Sequence, residues 1–191
     1  FEIPSLPDPV DCPEGHELVF DIETRYSADD VGGWGNAHKM RIAICVVFDA
    51  NLDRYEFYRE EDAERLVERL LNGSRVIGYN SERFDFKVLS RYCSRNIIKE
   101  FKSLDLLNGV KEGFGRYTGL DKIASASIGA GKTADGLQSL QWWKEGRLDL
   151  IASYCQKDVE ITYKVYRFGA DNGYVLHPHR SGQIIRIPVT W

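Results

Sequence analysis

The chain has 191 residues, 43% hydrophobic and 28% charged, which suits one globular domain with a sizeable core. Its net charge of −4 excludes a polycation that coats nucleic acid indiscriminately, yet leaves room for a local basic groove and for clustered metal-binding carboxylates. The four cysteines (Cys12, Cys45, Cys93, Cys155) form no Cys-x-x-Cys pair, no apolar run approaches the roughly 18 residues of a membrane span, and no signal peptide is visible, so the expectation is a cytoplasmic protein with reduced thiols and no membrane partner.

Residues 1–16 read as an irregular leader, because Pro4, Pro7, Pro9 and Pro13 forbid a regular helix or central strand. A chain opening on Phe1 rather than Met is expected to be a domain of a longer protein. Residues 17–170 are expected to form the main domain, followed by a tail, 171–191, with a marginal edge strand at 183–189.

The first strong element is residues 18–24, LVFDIET. Side chains alternate faces along a strand, so Asp21 and Glu23 project together from the end of a buried strand. Two such carboxylates repel, and desolvating them is costly unless a positive charge lies between them. A divalent metal supplies that charge. The alternative is that Glu23 has already left the strand and both acids face water.

Residues 25–39 are rich in Gly, Asp and Ser and read as a loop that carries Trp34. A strand follows at 40–48 (MRIAICVVF), then a turn at 49–53 and a second strand at 54–58, making a hairpin. Leu66, Val67, Leu70 and Leu71 predict a helix over 61–71, closed by Asn72 and Gly73. A short buried strand at 76–79 ends at Asn80, and a helix over 83–92 turns Phe84, Val88 and Leu89 inward. A fifth strand is expected at 101–107 with Asp105 near its end, then helices at 120–127, 137–144 and 147–168. An opening hairpin followed by crossover units implies an α/β fold with a mixed sheet, whose sites gather at the carboxyl ends of the parallel strands.

Three further acids stand at informative places. Asp85 lies where the 76–79 strand passes into a helix, which suits a ligand or a first-turn acid facing the helix dipole. Asp158 shares a helix face with Tyr154, one turn away, and with Ile151. That face points inward, so Asp158 needs a metal or a basic partner. For Asp105, metal ligation and a strand-end hydrogen-bonding role fit equally well.

Phe20-Asp21-Ile22-Glu23-Thr24, then Asn80 through Phe84-Asp85, then Tyr154-x-x-x-Asp158 together resemble the three exonuclease motifs of the DEDD superfamily. These are 3′→5′ exonucleases with an RNase H-like fold, polymerase proofreading domains among them. The Tyr-x-x-x-Asp form marks the DEDDy branch, and the chain is most similar to its bacterial YprB-like group, some of whose members are fused to helicase-type modules. Each motif is weak alone, but all three occur in order on the predicted elements, over residues 18–168.

The resemblance implies a three-layer α/β/α arrangement around a mixed five-stranded sheet. It implies two divalent ions, Mg²⁺ or Mn²⁺, which together activate a hydroxide, neutralise the phosphorus and stabilise the leaving alkoxide. Asp21 would bridge both ions, Glu23 and Asp158 would hold the one on the nucleophile side, and Asp85 would reach the second mainly through water. Tyr154, with an ordinary tyrosine pKa of about 10, would orient the attacking water rather than act as a base. Thr24, Asn80 and Phe84 are expected to contact substrate, the 3′ end of single-stranded DNA or RNA, with DNA favoured. A helicase module in the same parent chain is the expected partner.

Backbone contacts are sought among Arg83, Lys87, Arg116, Lys122 and Lys132, and base stacking among Trp34, Phe84, Phe114 and Tyr117. Residues 129–133 (GAGKT) imitate the end of a phosphate-binding P-loop, but Ala126 replaces the glycine the motif needs and a helical stretch precedes it. Two features depart from the family pattern: the long glycine-rich loop at 25–39, placed to shape a substrate channel or a partner interface, and Asp105, kept out of the metal set. The competing readings are an inert nucleic-acid-binding or docking module and an endonuclease of the broader fold. The intact acids argue against the first, and the Tyr-x-x-x-Asp helix argues against the second.

Overall fold

The structure, a computed structural model, describes residues 2–7, 14–131, 136–179 and 182–191. Its five-stranded sheet has the order β3-β2-β1-β4-β5. The strands are β1 (Glu17–Thr24), β2 (Ile42–Asp49), β3 (Arg54–Tyr58), β4 (Arg75–Gly78) and β5 (Ser103–Asp105). β1 pairs antiparallel with β2 and parallel with β4, and β5 extends the parallel side. The sheet is mixed, with helices on both faces, as expected of an RNase H-like fold.

The helices are α1 (Ala63–Leu71), α2 (Asp85–Leu89), α3 (Arg95–Ile98), α4 (Leu106–Phe114), α5 (Leu120–Ile128), α6 (Gly136–Lys144) and α7 (Leu148–Asn172). Val19, Ile44, Val46 and Phe48 pack on one face against residues of α4, α5 and α7. Leu18, Phe20, Ile22, Cys45 and Val47 pack on the other against α1 and α2. Both faces being covered, every residue of β2 is buried, which is why IAICVVF reads as a continuous apolar run rather than an alternating one. Beneath this second layer Arg69 of α1 is buried between Asp49 and Glu56, one cation shared by two buried carboxylates.

Three differences from the expected elements are the largest. The fifth strand stops at Asp105, and the unexpected α4 begins at once, because the Asp105 carboxylate caps it by accepting from the Leu107 N–H at 3.0 Å. Gly109 and Gly113 weaken the helical signal there, but close packing requires them. A Cβ on Gly113 would lie 2.2 Å from the Pro188 carbonyl oxygen, and one on Gly109 would lie 2.6 Å from the Trp191 ring. The helix expected over 83–92 shrinks to α2, since Asn80 adopts a left-handed φ of 68° and the chain from 80 to 84 turns before it can coil.

The third difference is at the C-terminal end. β6 (Tyr174–Pro178) and β7 (Ile184–Pro188) form a separate antiparallel pair against α4 and α5, so the strand expected at 183–189 does not extend an edge of the main sheet. The missing side chain at Gly113 is what admits β7 to that position. α7 itself runs past 168 to Asn172, where Gly173 closes it at φ 73°. Cys12, Lys132 and the 132–133 part of the P-loop-like stretch lie outside the described residues.

Candidate metal centre

β1 delivers Asp21 and Glu23 on the face that α7 covers, and α7 brings Asp158 across from the opposite side. The three residues offer carboxylate oxygens that all lie within 4.8 Å of one another. Asp158 is only 3% exposed, and the other two are half-buried. A register shift between Glu23 and Thr24 marks a bulge just past the pair, the kind of irregularity that re-aims side chains beside a site. Three anionic oxygens so close in a half-buried setting repel strongly and favour a multivalent cation. All three are hard oxygen donors, the ligand type that Mg²⁺ and Mn²⁺ prefer.

Asp85 approaches from the other side of β1 as the first residue of α2. It stands outside the close trio, and the Ile22 N–H donates to its Oδ1 at 3.1 Å. Burial pushes the Asp85 carboxyl well above the usual carboxylate range, and the nearby Asp21 charge adds to the effect. A cation in the cleft would act in the opposite sense.

Tyr154 sits one turn before Asp158, buried, with its ring edge-on to Trp142 at 6.1 Å. It lines a cleft of about 640 Å³ together with Asp21, Glu23, Asp85 and Asp158. Thr24, Asn80 and Phe84 line the same cleft, so all eight sequence-predicted site residues meet in one place. The glycine-rich loop supplies a wall through Tyr26, Asp29 and Trp34, and α6 supplies another through Leu137 and Leu140. Phe114 does not line the cleft: its ring packs on His177, with the Arg116 guanidinium over it. Lys122 is absent from the cleft lining as well.

Three supporting residues were not singled out as site residues from the sequence. Asp105 accepts from the N–H groups of Asn80 (2.7 Å), Glu82 (3.1 Å) and Leu107 (3.0 Å), so it fixes the turn that carries Asn80 and does not join the carboxylate trio. Cys155 places its Sγ 3.2 Å from the Asp21 carbonyl oxygen and 3.6 Å from the Asp21 carboxylate. Burial, with Asp21 close by, pushes that thiol well above its ordinary value and keeps it an S–H donor. Arg25 follows Thr24, donates to the Ile42 carbonyl at 2.8 Å, pairs with Glu60 at 2.9 Å and lies over the Trp143 ring at 4.6 Å, tying α6 to the end of β1. Only an Asp at a strand end gave any sequence signal; the partners of Cys155 and Arg25 are distant in the chain.

Among known families, the model described as RNase_H superfamily matches residues 18–168. The chain belongs to the RNase H superfamily. That span runs from the start of the β1 core to the last turns of α7, so it takes in all but the outer ends of β1 and α7, the elements between them and all the cleft acids. A search of curated proteins returned no match. Membership in the RNase H superfamily suggests a nuclease that uses divalent metal, and among the described residues the Asp21, Glu23 and Asp158 group could bind it. Among the described residues, no helix is long and apolar enough to cross a membrane.

Proposed function

We propose that the chain is a 3′→5′ exonuclease of the DEDDy branch, closest to its YprB-like group, that shortens single-stranded nucleic acid, DNA in preference to RNA. One observation carries this reading: Tyr154 lines the cleft one turn from Asp158, beside the close trio of Asp21, Glu23 and Asp158. In an exonuclease the residue at Tyr154 serves the water; in a purely binding module no hydroxyl is needed there.

Asp21, Glu23 and Asp158 would hold two divalent ions, Mg²⁺ or Mn²⁺, with Asp85 reaching the second through water. Bound there, the pair supplies an activated water, charge neutralisation at phosphorus and stabilisation of the leaving oxygen. The residues do the remaining work. By the family resemblance Asp21 would be the ligand shared by both ions, and Glu23 and Asp158 would serve the nucleophile side. The Tyr154 hydroxyl orients the attacking water, and its ring is held by Trp142 so that the hydroxyl does not wander. Thr24, Asn80 and Phe84 contact the terminal nucleotide, with Asn80 held by the Asp105 clamp. Free thiols at Cys45, Cys93 and Cys155 support a reducing, cytoplasmic setting. A helicase module in the parent chain would feed single strands to the cleft.

The test is a gel assay of 5′-labelled and 3′-labelled DNA and RNA strands with Mg²⁺ and Mn²⁺. A 5′-labelled DNA ladder that shortens stepwise from the 3′ end is the expected result. Cleavage of a circular single strand would point to an endonuclease, and metal binding without turnover would point to an inert module; either overturns the proposal.

A further inference from the structure

The cleft continues past the carboxylates. Trp34, 68% exposed, stands edge-on to Phe84 with ring centroids 5.9 Å apart. Beyond this pair lies a second groove of about 360 Å³, lined by Trp34, Asn80, Arg83, Phe84 and Lys87. Trp34, Asn80 and Phe84 line both depressions, so the two adjoin. On the far side the Arg83 guanidinium lies 4.2 Å from the centre of the Tyr117 ring, and the Lys111 ammonium lies 4.6 Å from the same ring. Tyr117 is 45% exposed.

Three exposed cations, Arg83, Lys87 and Lys111, gather along this groove and its Tyr117 flank. Some exposed cations elsewhere are neutralised in place: Arg147 by Asp149, Lys157 and Lys164 by Glu160, Arg167 by Asp171. Among the described residues Arg83, Lys87 and Lys111 form no ion pair, on a chain whose net charge is −4. Tyr117 instead orders Arg83 and Lys111 through their contacts with its ring, so less side-chain freedom remains to be lost when an anion binds. An exposed indole beside pre-ordered cations is the composition of a single-strand platform, where bases stack and phosphates meet charge without base-edge readout.

We propose that the strip formed by Trp34, Phe84, Arg83, Lys87, Tyr117 and Lys111 is a track for single-stranded nucleic acid. One base stacks on Trp34, and backbone phosphates lie at Arg83, Lys87 and Lys111. Its direction, from the scissile bond outward along the upstream strand, rests on the exonuclease reading; the binding itself does not. The track reads no sequence, since nothing in it offers a fixed pattern of donors and acceptors to base edges.

The test is fluorescence anisotropy of a labelled oligothymidylate in EDTA, titrated at several salt concentrations, with melting curves to show that each variant is folded. For a single strand each phosphate contact contributes about 0.7 to the slope of log affinity against log salt, so Arg83→Gln with Lys87→Gln lowers the slope by about 1.4. Trp34→Ala weakens binding about fivefold to 100-fold and leaves the slope unchanged, because stacking carries no counterion release. Arg167→Gln, at the far end of α7, changes neither. A wild-type slope in the folded double variant, or wild-type affinity in folded Trp34→Ala, overturns the track even if the protein trims 3′ ends. The expected slopes in a protein that never cuts would uphold the track and overturn the exonuclease.

Discussion

The backbone N–H of Ile22 donates to the Asp85 carboxylate across 3.1 Å, so the strand that carries Asp21 and Glu23 is bonded directly to the first residue of α2. This contact sets the register between the two elements and places Asp85 in the field of Asp21. The folded metal-free protein therefore holds Asp85 at a raised pKa, through burial first and Asp21 second. A group raised in this way binds its proton more tightly folded than unfolded. Its contribution to stability is present below the unfolded value, about 3.9, and is lost as pH rises from there toward the folded value. Over that window Asp85 contributes a fall in the melting temperature of the EDTA-treated protein, set against the rise from Asp49, Glu60 and Glu160, whose carboxyls are held low. Asp85→Asn should flatten the fall and raise the melting temperature at pH 8, and an unchanged pH profile in that variant would contradict the assignment.

Tyr154→Phe removes one hydroxyl and leaves the ring on Trp142. A hydrogen bond to the attacking water is lost, so kcat should fall about tenfold to 100-fold. Single-turnover kinetics with the variant check this. A loss as complete as that of Asp21→Ala would assign Tyr154 a larger role than positioning.

The Cys155 thiol lies between α7 and the Asp21 backbone, and it supports the orientation of a metal ligand. Cys155→Ala should weaken Mn²⁺ affinity about tenfold, the low end of the range for residues that orient metal ligands. Isothermal titration with Mn²⁺ measures it, and Cys155→Ser, which keeps a donor of similar reach, should recover most of the loss.

Away from the site, Arg69 is 4% exposed and bonded to both Asp49 and Glu56. Arg69→Ala strips a buried compensating charge from two buried carboxylates and should cost about 3–5 kcal/mol, read as a lower denaturant midpoint. His16 also approaches Asp49, at 2.8 Å, so part of that charge stays partnered.

The cleft acids were legible in the sequence because each sits on an element with a strong local signal. LVFDIET announces a buried strand ending in paired acids, and Tyr154 and Asp158 are one helical turn apart on an inward face. The hairpin of β2 and β3 was legible for the same reason, with apolar runs around a short polar turn. What escaped is what depends on contacts between distant segments. α4 was hidden because Gly109 and Gly113 look like helix breakers until Trp191 and Pro188 are seen to need their space. The capping and clamping by Asp105 join residues 80, 82 and 107, and no short motif encodes that. The stack of Arg83 on Tyr117 links two segments 34 positions apart, which periodicity cannot report. The strand at 183–189 was visible, but its partner was not, because β6 directly follows a long helix and is only five residues long.

The most direct measurement of the central claim is Mn²⁺-dependent trimming of a 5′-labelled single strand by wild type, Asp21→Ala and Asp158→Ala in parallel, with melting curves for all three. Binding of Mn²⁺ at about 100 times its Kd should stabilise the wild type by about 2.7 kcal/mol, and the two variants should lose that gain. The account predicts stepwise 3′ shortening by the wild type alone, from variants that remain folded. Full trimming by either folded variant would contradict it.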